Sequence, residues 1–592
     1  MPAKAAPKSP RKKTTDPGLA APVREPLDRA IAELGDGARV WSRLSVDQRA
    51  KLLDRVRAAV GTVADEWVDA ASASKGLGPG HPLRGEEWMS GPYAALGALD
   101  GYIATLTALA EGRSPLDRVG LGVAPGGRTR VKAFPTVGMD RILLSGFSGE
   151  LWLEPGVSAD EARAEAGLGQ RTPGEEAGVG LVLGAGNITS IPFLDVLYEL
   201  LAFNRVSILK VNPTQDAVVP VFERALAPLI ELGFVRIVRG GGDVGAYLTQ
   251  HPGIGHVHIT GSAVTFDAIV WGTGEEAATR KAAGTPKLTV PITAELGGVA
   301  PIIVVPGAWT EADLRFQAQH IVTMRLHNSG HNCIAGQVVI VSRDWPQRDR
   351  FLSELRKAYA AAPERPVWYP RADEKLQAAE EAYPDAQRLG DGTRLLVEIT
   401  GTEDPTAVET TEYFAPVLGV VTLSGTGQEF LDTAVAHAND ELTGTLGANV
   451  LIDPATEAAL GSGFEKAIAD LRYGGIAINA WTGVVFATPI LSWGAFPGAT
   501  LEDVQSGLGV VHNTLLVDRV ERSVMRGPFR PFPRGAAGFL QPRGLAQGTI
   551  LPKPPYFVDS RTNTEVAAGL TRWHIGHSVP GLVATLTKAM KS

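Results

Sequence analysis

Between residues 22 and 112 apolar positions recur three and four apart with charges between them, as in "EPLDRAIAELGDGARVWSRLSVDQRAKLLDRVRAAV". That spacing predicts a set of amphipathic helices. At 140–156 the pattern shortens to β-like runs broken by glycine, "DRILLSGFSGELWLEPG", which predicts a hairpin. "AEAGLGQRTPGEEAG" then reads as a surface loop. From 178 onward short apolar runs alternate with helical ones: "GVGLVLGAGN", "SIPFLDVLYELLAFN", "RVSILKVNP", "QDAVVPVFERALAPLIELG", "VRIVRGGGD" and "IGHVHITGS". Strands alternating with helices imply right-handed crossovers and a parallel sheet covered on both faces.

The alternation resumes after 296 with "GGVAPIIVV", "TEADLRFQAQHIVTMRLHN" and "GQVVIV", which predicts a second α/β unit. The last stretch is richer in Pro, Arg and Gly and ends in the amphipathic "GLVATLTKAMKS". The predicted fold class is therefore α/β, with a Rossmann-like, nucleotide-binding type of domain and a second α/β domain; a family resemblance carried by motifs along the chain implies that the first binds the cofactor, that the second is catalytic and that a small β element serves oligomerisation. The expected boundaries are a disordered basic tail over 1–21 and a cofactor-binding domain from 22–139 and 177–295. A hairpin with an insertion follows over 140–176, the catalytic domain over 296–500, and an oligomerisation strand with a C-terminal extension over 501–592.

Composition narrows the classes of function. A chain of 592 residues with 44% hydrophobic and 20% charged residues folds into more than one domain. Its net charge of −8 gives no reason to expect nucleic acid. No apolar run reaches the roughly 18–20 residues that span a bilayer, because Pro301 and Pro306 cut the best candidate to strand length. The N-terminus is basic but lacks the apolar core of a secretory signal. One cysteine excludes intrachain disulfides, so a reducing, cytoplasmic setting is expected.

That cysteine, Cys333, sits in "LHNSGHNCIAGQ". His327, His331 and Cys333 form H-x3-H-x-C, but Asn-Ser-Gly breaks the helix that would align them and no fourth ligand is near. No metal is expected there. The strand-turn-helix at 180–203 supplies Gly184 and Gly186 of a dinucleotide fingerprint, yet puts Thr189 at the third glycine and Lys210 at the acidic ribose position. A nucleotide would have to bind by a different arrangement.

Six separated stretches, "LGAGNITSIP", "ILKVNP", "HITGSAV", "AELGGVAPIIV", "NSGHNCIAGQ" and "TEYFAPVLGVV", resemble the aldehyde dehydrogenase superfamily in order and separation, over roughly 30–520. The resemblance implies Cys333 as nucleophile, because thiolate addition turns a planar carbonyl into a tetrahedral hydride donor. It implies Asn187 and the Cys333 backbone N–H as oxyanion donors, and Glu295 as the base that activates water for deacylation. For the cofactor, NAD or NADP, it implies Lys210 at the adenosine ribose, Gly261 and Ser262 at the pyrophosphate, and Glu412 with Phe414 at the nicotinamide end. Pro213 replaces a glutamate that would repel a 2′-phosphate, so NADP stays permitted. Asn479, Trp481 and Trp493 occupy the place of the family's substrate tunnel.

Two alternatives remain open at this level. In the CoA-acylating branch of the superfamily CoA takes the thioester instead of water, and Glu295 argues for hydrolysis without excluding thiolysis. A non-catalytic scaffold would use "VVHNTLLVDRVERSVM" over 510–525 to extend a neighbour's sheet. The partners expected are a small-molecule aldehyde and further copies of the chain in a homodimer or homotetramer.

Overall fold

The computed structural model describes residues 19–136, 144–390, 392–399, 401, 403–540 and 548–591. Most of the expected basic tail and the first residues of the expected hairpin therefore lie outside the described residues. The helices begin where the periodicity puts them, with Ala21–Trp41, Val46–Ser74 and Ala94–Ala110. Val46–Ser74 starts in a reciprocal cap: Gln48 N–H donates to Ser45 Oγ (3.2 Å) and Ser45 N–H to Gln48 Oε1 (2.8 Å). The helical run Pro82–Ala110 is long and apolar enough to cross a membrane by length and composition alone. It is half buried, bent at Gly91–Pro92, and packs its last part against Val46–Ser74.

These helices cover one face of a sheet which, among the described residues, has six strands. Its order is Gly507–Leu508, Ile292–Leu296, His256–Gly261, Val179–Leu183, Val206–Lys210 and Val235–Val238. All pair in parallel except Gly507–Leu508. Parallel pairing brings the carboxyl ends of the strands, with Lys210, Gly261 and Glu295, to one edge.

The second sheet has eleven strands among the described residues. Its centre is parallel and formed by Val520–Arg526, Gly475–Ile478, Gly447–Leu451, Ala300–Val304, Gly336–Ser342, Val417–Leu423 and Arg394–Ile399. Gly120–Val123, Thr129–Phe134 and Ser148–Leu153 extend it antiparallel at one end, and Gln387–Leu389 at the other.

Three expectations change. Residues 120–134 leave the cofactor-binding unit and join the second sheet, because Arg130 and Val131 register against Trp152 and Leu151. Ser148–Leu153 lies between Thr129–Phe134 and Val520–Arg526 instead of closing a local hairpin. Val520–Arg526 has both edges taken within its own chain, by Ser148–Leu153 and Gly475–Ile478, so it offers no free edge to a neighbour.

The segment read as a surface loop is also anchored. Gln170 is buried, and Arg49 donates to Gln170 Oε1 (2.8 Å), Asn204 Oδ1 (2.7 Å), Trp41 O (2.9 Å) and Pro173 O (2.6 Å). A buried acceptor left without its donor costs about 1–3 kcal/mol. Arg49→Met is therefore expected to lose about 3 kcal/mol and several degrees of thermal midpoint. A melting curve that overlays the parent's would show that this cluster does not anchor the insertion.

Candidate active site

Helix Glu311–Leu326 is capped by Thr310, whose Oγ1 accepts from Asp313 N–H (3.2 Å). At its other end Asn328, Ser329 and Gly330 run left-handed at φ +54°, +55° and +75°. Such a run is costly for Ser329 and needs external support. Glu86 supplies it by accepting the Asn328 N–H (2.9 Å), and Ser329 Oγ donates to Pro366 O (2.8 Å). Gly330 admits no side chain, since a Cβ would lie 2.9 Å from Ala415 O. The Asn328 amide then donates to His331 O (3.1 Å), Asn332 Oδ1 (3.3 Å) and Asn187 O (3.2 Å).

This turn places Cys333 at the foot of strand Gly336–Ser342, half-buried at the wall of a cavity of about 130 Å³. Asn187 lines the same cavity and donates from Nδ2 to His331 O (2.9 Å). The backbone N–H groups of Cys333 and Ile334 face the sulfur and favour its thiolate. Burial outweighs them, and the neighbouring Glu295 and Glu412 carboxylates add to it, pushing the thiol well up.

Glu295 is buried on strand Ile292–Leu296. Burial first, then the Asp195 charge, raise its carboxyl far above the carboxylate range, opposed by the Trp493 indole as a hydrogen-bond donor. Glu412 is raised to about 7 by burial, with Arg325 and the Gly298 N–H opposing. The charges of both carboxylates are felt at the Cys333 thiol. Trp481 and Trp493 line the cavity. Asn479 does not line it: its Oδ1 accepts from Ile452 N–H (2.9 Å), which makes it a backbone brace between two strands.

On the nucleotide side, Lys210 ends its strand half-buried, its ammonium destabilised by desolvation with Asp216 and Asp243 as the opposing charges. Ser262 caps helix Ala263–Val270 by accepting from Thr265 N–H (3.2 Å), directly after Gly261. Glu412 Oε1 is buried without a hydrogen-bond partner among the described residues. An orphan carboxylate oxygen suits a ribose hydroxyl, so these residues fit a dinucleotide. Phe414, in left-handed backbone at φ +49°, packs on Tyr369 (4.9 Å between rings), and its C=O accepts from His331 Nδ1 (2.6 Å). His327 instead packs tilted against Trp481 (4.7 Å between rings), and among the described residues no three His, Cys, Asp or Glu side chains gather as a metal set.

The residues that sequence reasoning missed lie behind the loop. Lys75 pairs with Glu87 (2.9 Å), and Arg365 pairs with Glu86 and with Glu87 (3.2 Å), all four buried. The adjacent acids in the apolar stretch "GEEW" were the available signal.

Comparison with known proteins agrees with this geometry. Residues 191–366 match the model of the aldehyde dehydrogenase family. Similar solved structures include a mutant of aldehyde dehydrogenase C from Pseudomonas syringae, complexed with NAD+ and octanal. It is 18% identical, with TM-score 0.57 over 86% of this chain and 90% of that one. A gamma-glutamyl-gamma-aminobutyraldehyde dehydrogenase from Burkholderia cenocepacia is 20% identical, with TM-score 0.55 over 84% and 88%. An NAD-dependent aldehyde dehydrogenase from Sinorhizobium meliloti is 20% identical, with TM-score 0.54 over 86% and 88%. The resemblance read from the six motifs is borne out, and the fold is that of the aldehyde dehydrogenases.

Four histidines, His320, His327, His331 and His512, are held neutral by burial, each lowered from 6.5 to about 3. The unfolded chain then binds more protons than the folded one between those values, so stability falls as pH drops below 6.5. Each contributes about 1.4 kcal/mol per pH unit to that loss. Thermal midpoints should decline steeply from pH 6.5 to 5, and His512→Asn should flatten the decline. A midpoint constant over that range would contradict neutral burial.

Proposed function

We propose that this chain is an NAD(P)-dependent aldehyde dehydrogenase that oxidises an aldehyde to the carboxylic acid through a cysteine thioester. The observation that carries the reading is one thiol at the wall of an apolar cavity, with Asn187 beside it and two buried carboxylates acting on it. When bound, the nicotinamide cofactor supplies the hydride acceptor. Lys210, Gly261, Ser262 and Glu412 would hold it along the carboxyl edge of the six-stranded sheet.

Cys333 gives its proton to a carboxylate and its Sγ bonds to the carbonyl carbon. The carbonyl electron pair moves onto oxygen, where the Asn187 amide and the Cys333 N–H are the available donors. After oxidation the carbon is a thioester. Glu295, a basic carboxylate once ionised, takes a proton from water, and hydroxide displaces the thiol to release the acid. Hydrolysis is favoured over transfer to CoA because Glu295 is present and buried, and its charge is felt at the thiol. The thiol serves this role only when reduced, which agrees with a cytoplasmic setting.

Cys333→Ala should bring NAD(P)H formation, followed at 340 nm with a panel of aldehydes, to background while leaving cofactor binding intact. Turnover by that variant would refute the mechanism. Asn187→Ala should lower kcat by about 100-fold or more. Glu295→Gln should slow deacylation by about 100-fold and let an acyl-enzyme accumulate, visible as added mass on Cys333. NAD(P)H formation only when CoA is added would move the chain to the acylating branch.

A further inference from the structure

The cavity in front of Cys333 has two walls of different origin. The inner wall comes from the domains already described, with Ile188, Trp481, Val484 and Phe486. The outer wall comes from the extension past the second sheet: Leu551, the run Pro552–Tyr556, and Val566, Leu570, Leu586 and Ala589 from two helices.

This extension is fixed to the body. The Phe557 ring stacks on Phe316 (5.1 Å) and His320 (4.9 Å), and Val558 N–H donates to Thr323 Oγ1 (3.2 Å). Helix Asn563–Gly576 sits on Gly85, where a Cβ would lie 2.7 Å from the Asn563 backbone, and its His574 bonds Asp100 (2.7 Å). Helix Val579–Ala589 packs against it so closely that a Cβ on Gly569 would overlap Thr585.

Most polar groups of the cavity are committed elsewhere, the exceptions being the Trp481 indole N–H, buried without a partner among the described residues, and the second amide hydrogen of Asn187. Ser90, Thr488 and Thr585 hydroxyls donate to Glu86, Val484 and Gly581 backbone carbonyls (2.7, 2.8 and 2.9 Å). The Lys553 ammonium pairs with Asp559 (2.7 Å) and Gln319 (3.0 Å). His327 is held neutral by burial and packs tilted against Trp481. A charged substituent entering here would lose its water and meet at most neutral donors, the Trp481 indole and the Asn187 amide, with the one lining ammonium already paired to Asp559. The space matches the apolar cavities of about 150 Å³ that take up benzene.

We propose that the segment Leu551–Ala589 is the specificity-determining outer wall of the aldehyde site, and that it confines the substrate to uncharged alkyl or aryl aldehydes. This rests on the reading of Cys333 as the nucleophile, but its test need not depend on turnover. Cys333 is the only thiol in the chain, so labelling reports on one cavity. Hexyl, benzyl, sulfonatoethyl and trimethylammonioethyl methanethiosulfonates would be compared by intact mass, each rate normalised to the protein unfolded in urea. All four reagents meet the same thiolate population, so its size cancels from the ratios.

The hexyl and benzyl reagents should react about tenfold or more faster than either charged one. Leu586→Lys should raise the sulfonate's normalised rate severalfold while lowering the hexyl rate. Ala589→Trp should slow the benzyl reagent and spare methyl methanethiosulfonate. Equal rates for charged and apolar reagents, or a ratio that neither folded variant moves, would overturn the proposal. Kinetics with hexanal against a carboxylate-tailed aldehyde complete the test. Silence toward both aldehydes with labelling selectivity intact would sink the oxidation reading and still support the wall, whereas turnover of both at similar kcat/KM would sink the wall.

Discussion

The site depends on a buried charge cluster that holds the loop before Cys333 in a conformation it would not keep alone. Lys75, Arg365, Glu86 and Glu87 balance two cations against two carboxylates out of contact with water. Taking four charges from solvent costs several kcal/mol per ion, which pairing offsets only with good geometry. What the cluster secures is the Asn328 N–H on Glu86, and with it three consecutive left-handed residues. Asn328 also reaches the Asn187 carbonyl and the His331 carbonyl, so one side chain ties the Val179–Leu183 turn to the cysteine loop. Cys333 and Asn187 come from different sheets, and this junction sets their separation.

Much of this was legible in the sequence where the information is local. Strand and helix periods at 178–262 gave a parallel sheet, and carboxyl-edge placement of Lys210, Gly261 and Glu295 followed from topology. Cys333, Asn187 and Glu295 were picked out by short motifs resembling those of the aldehyde dehydrogenases. Pairings between distant segments were not legible. The alternation of 520–526 announces a strand but carries no signal that Ser148–Leu153 and Gly475–Ile478 will flank it. Asn479 read as a tunnel residue because it falls in the stretch that occupies the place of the family's substrate tunnel. A polar side chain at a strand end has an equally good use in holding the neighbouring backbone, and here Ile452 N–H takes it.

The extension shows the same limit from the other side. "KPPYFVD" looks like a linker by composition, yet its prolines stiffen a run whose aromatic rings then find a stacking surface on helix Glu311–Leu326. That helix carries His320 and Thr323 on the face the extension covers and leads into the cysteine loop at its end. The extension and Cys333 are therefore both tied to one helix, so their spacing is set within the chain.

The protonation states close the argument. Burial and two nearby carboxylates oppose the Cys333 thiolate, while the same burial makes those carboxylates strong bases. Transfer of a proton from thiol to carboxylate removes one negative charge next to the sulfur as it creates another on it. The local charge is then unchanged, and the backbone N–H groups of Cys333 and Ile334 face the sulfur that has gained it. A thiol exposed to water would ionise more readily but would lose the nearby acceptor. In the proposed mechanism, burial of both groups would make the carboxylate that takes the thiol proton basic enough to activate water afterwards, the order of events that hydrolysis of a thioester would need.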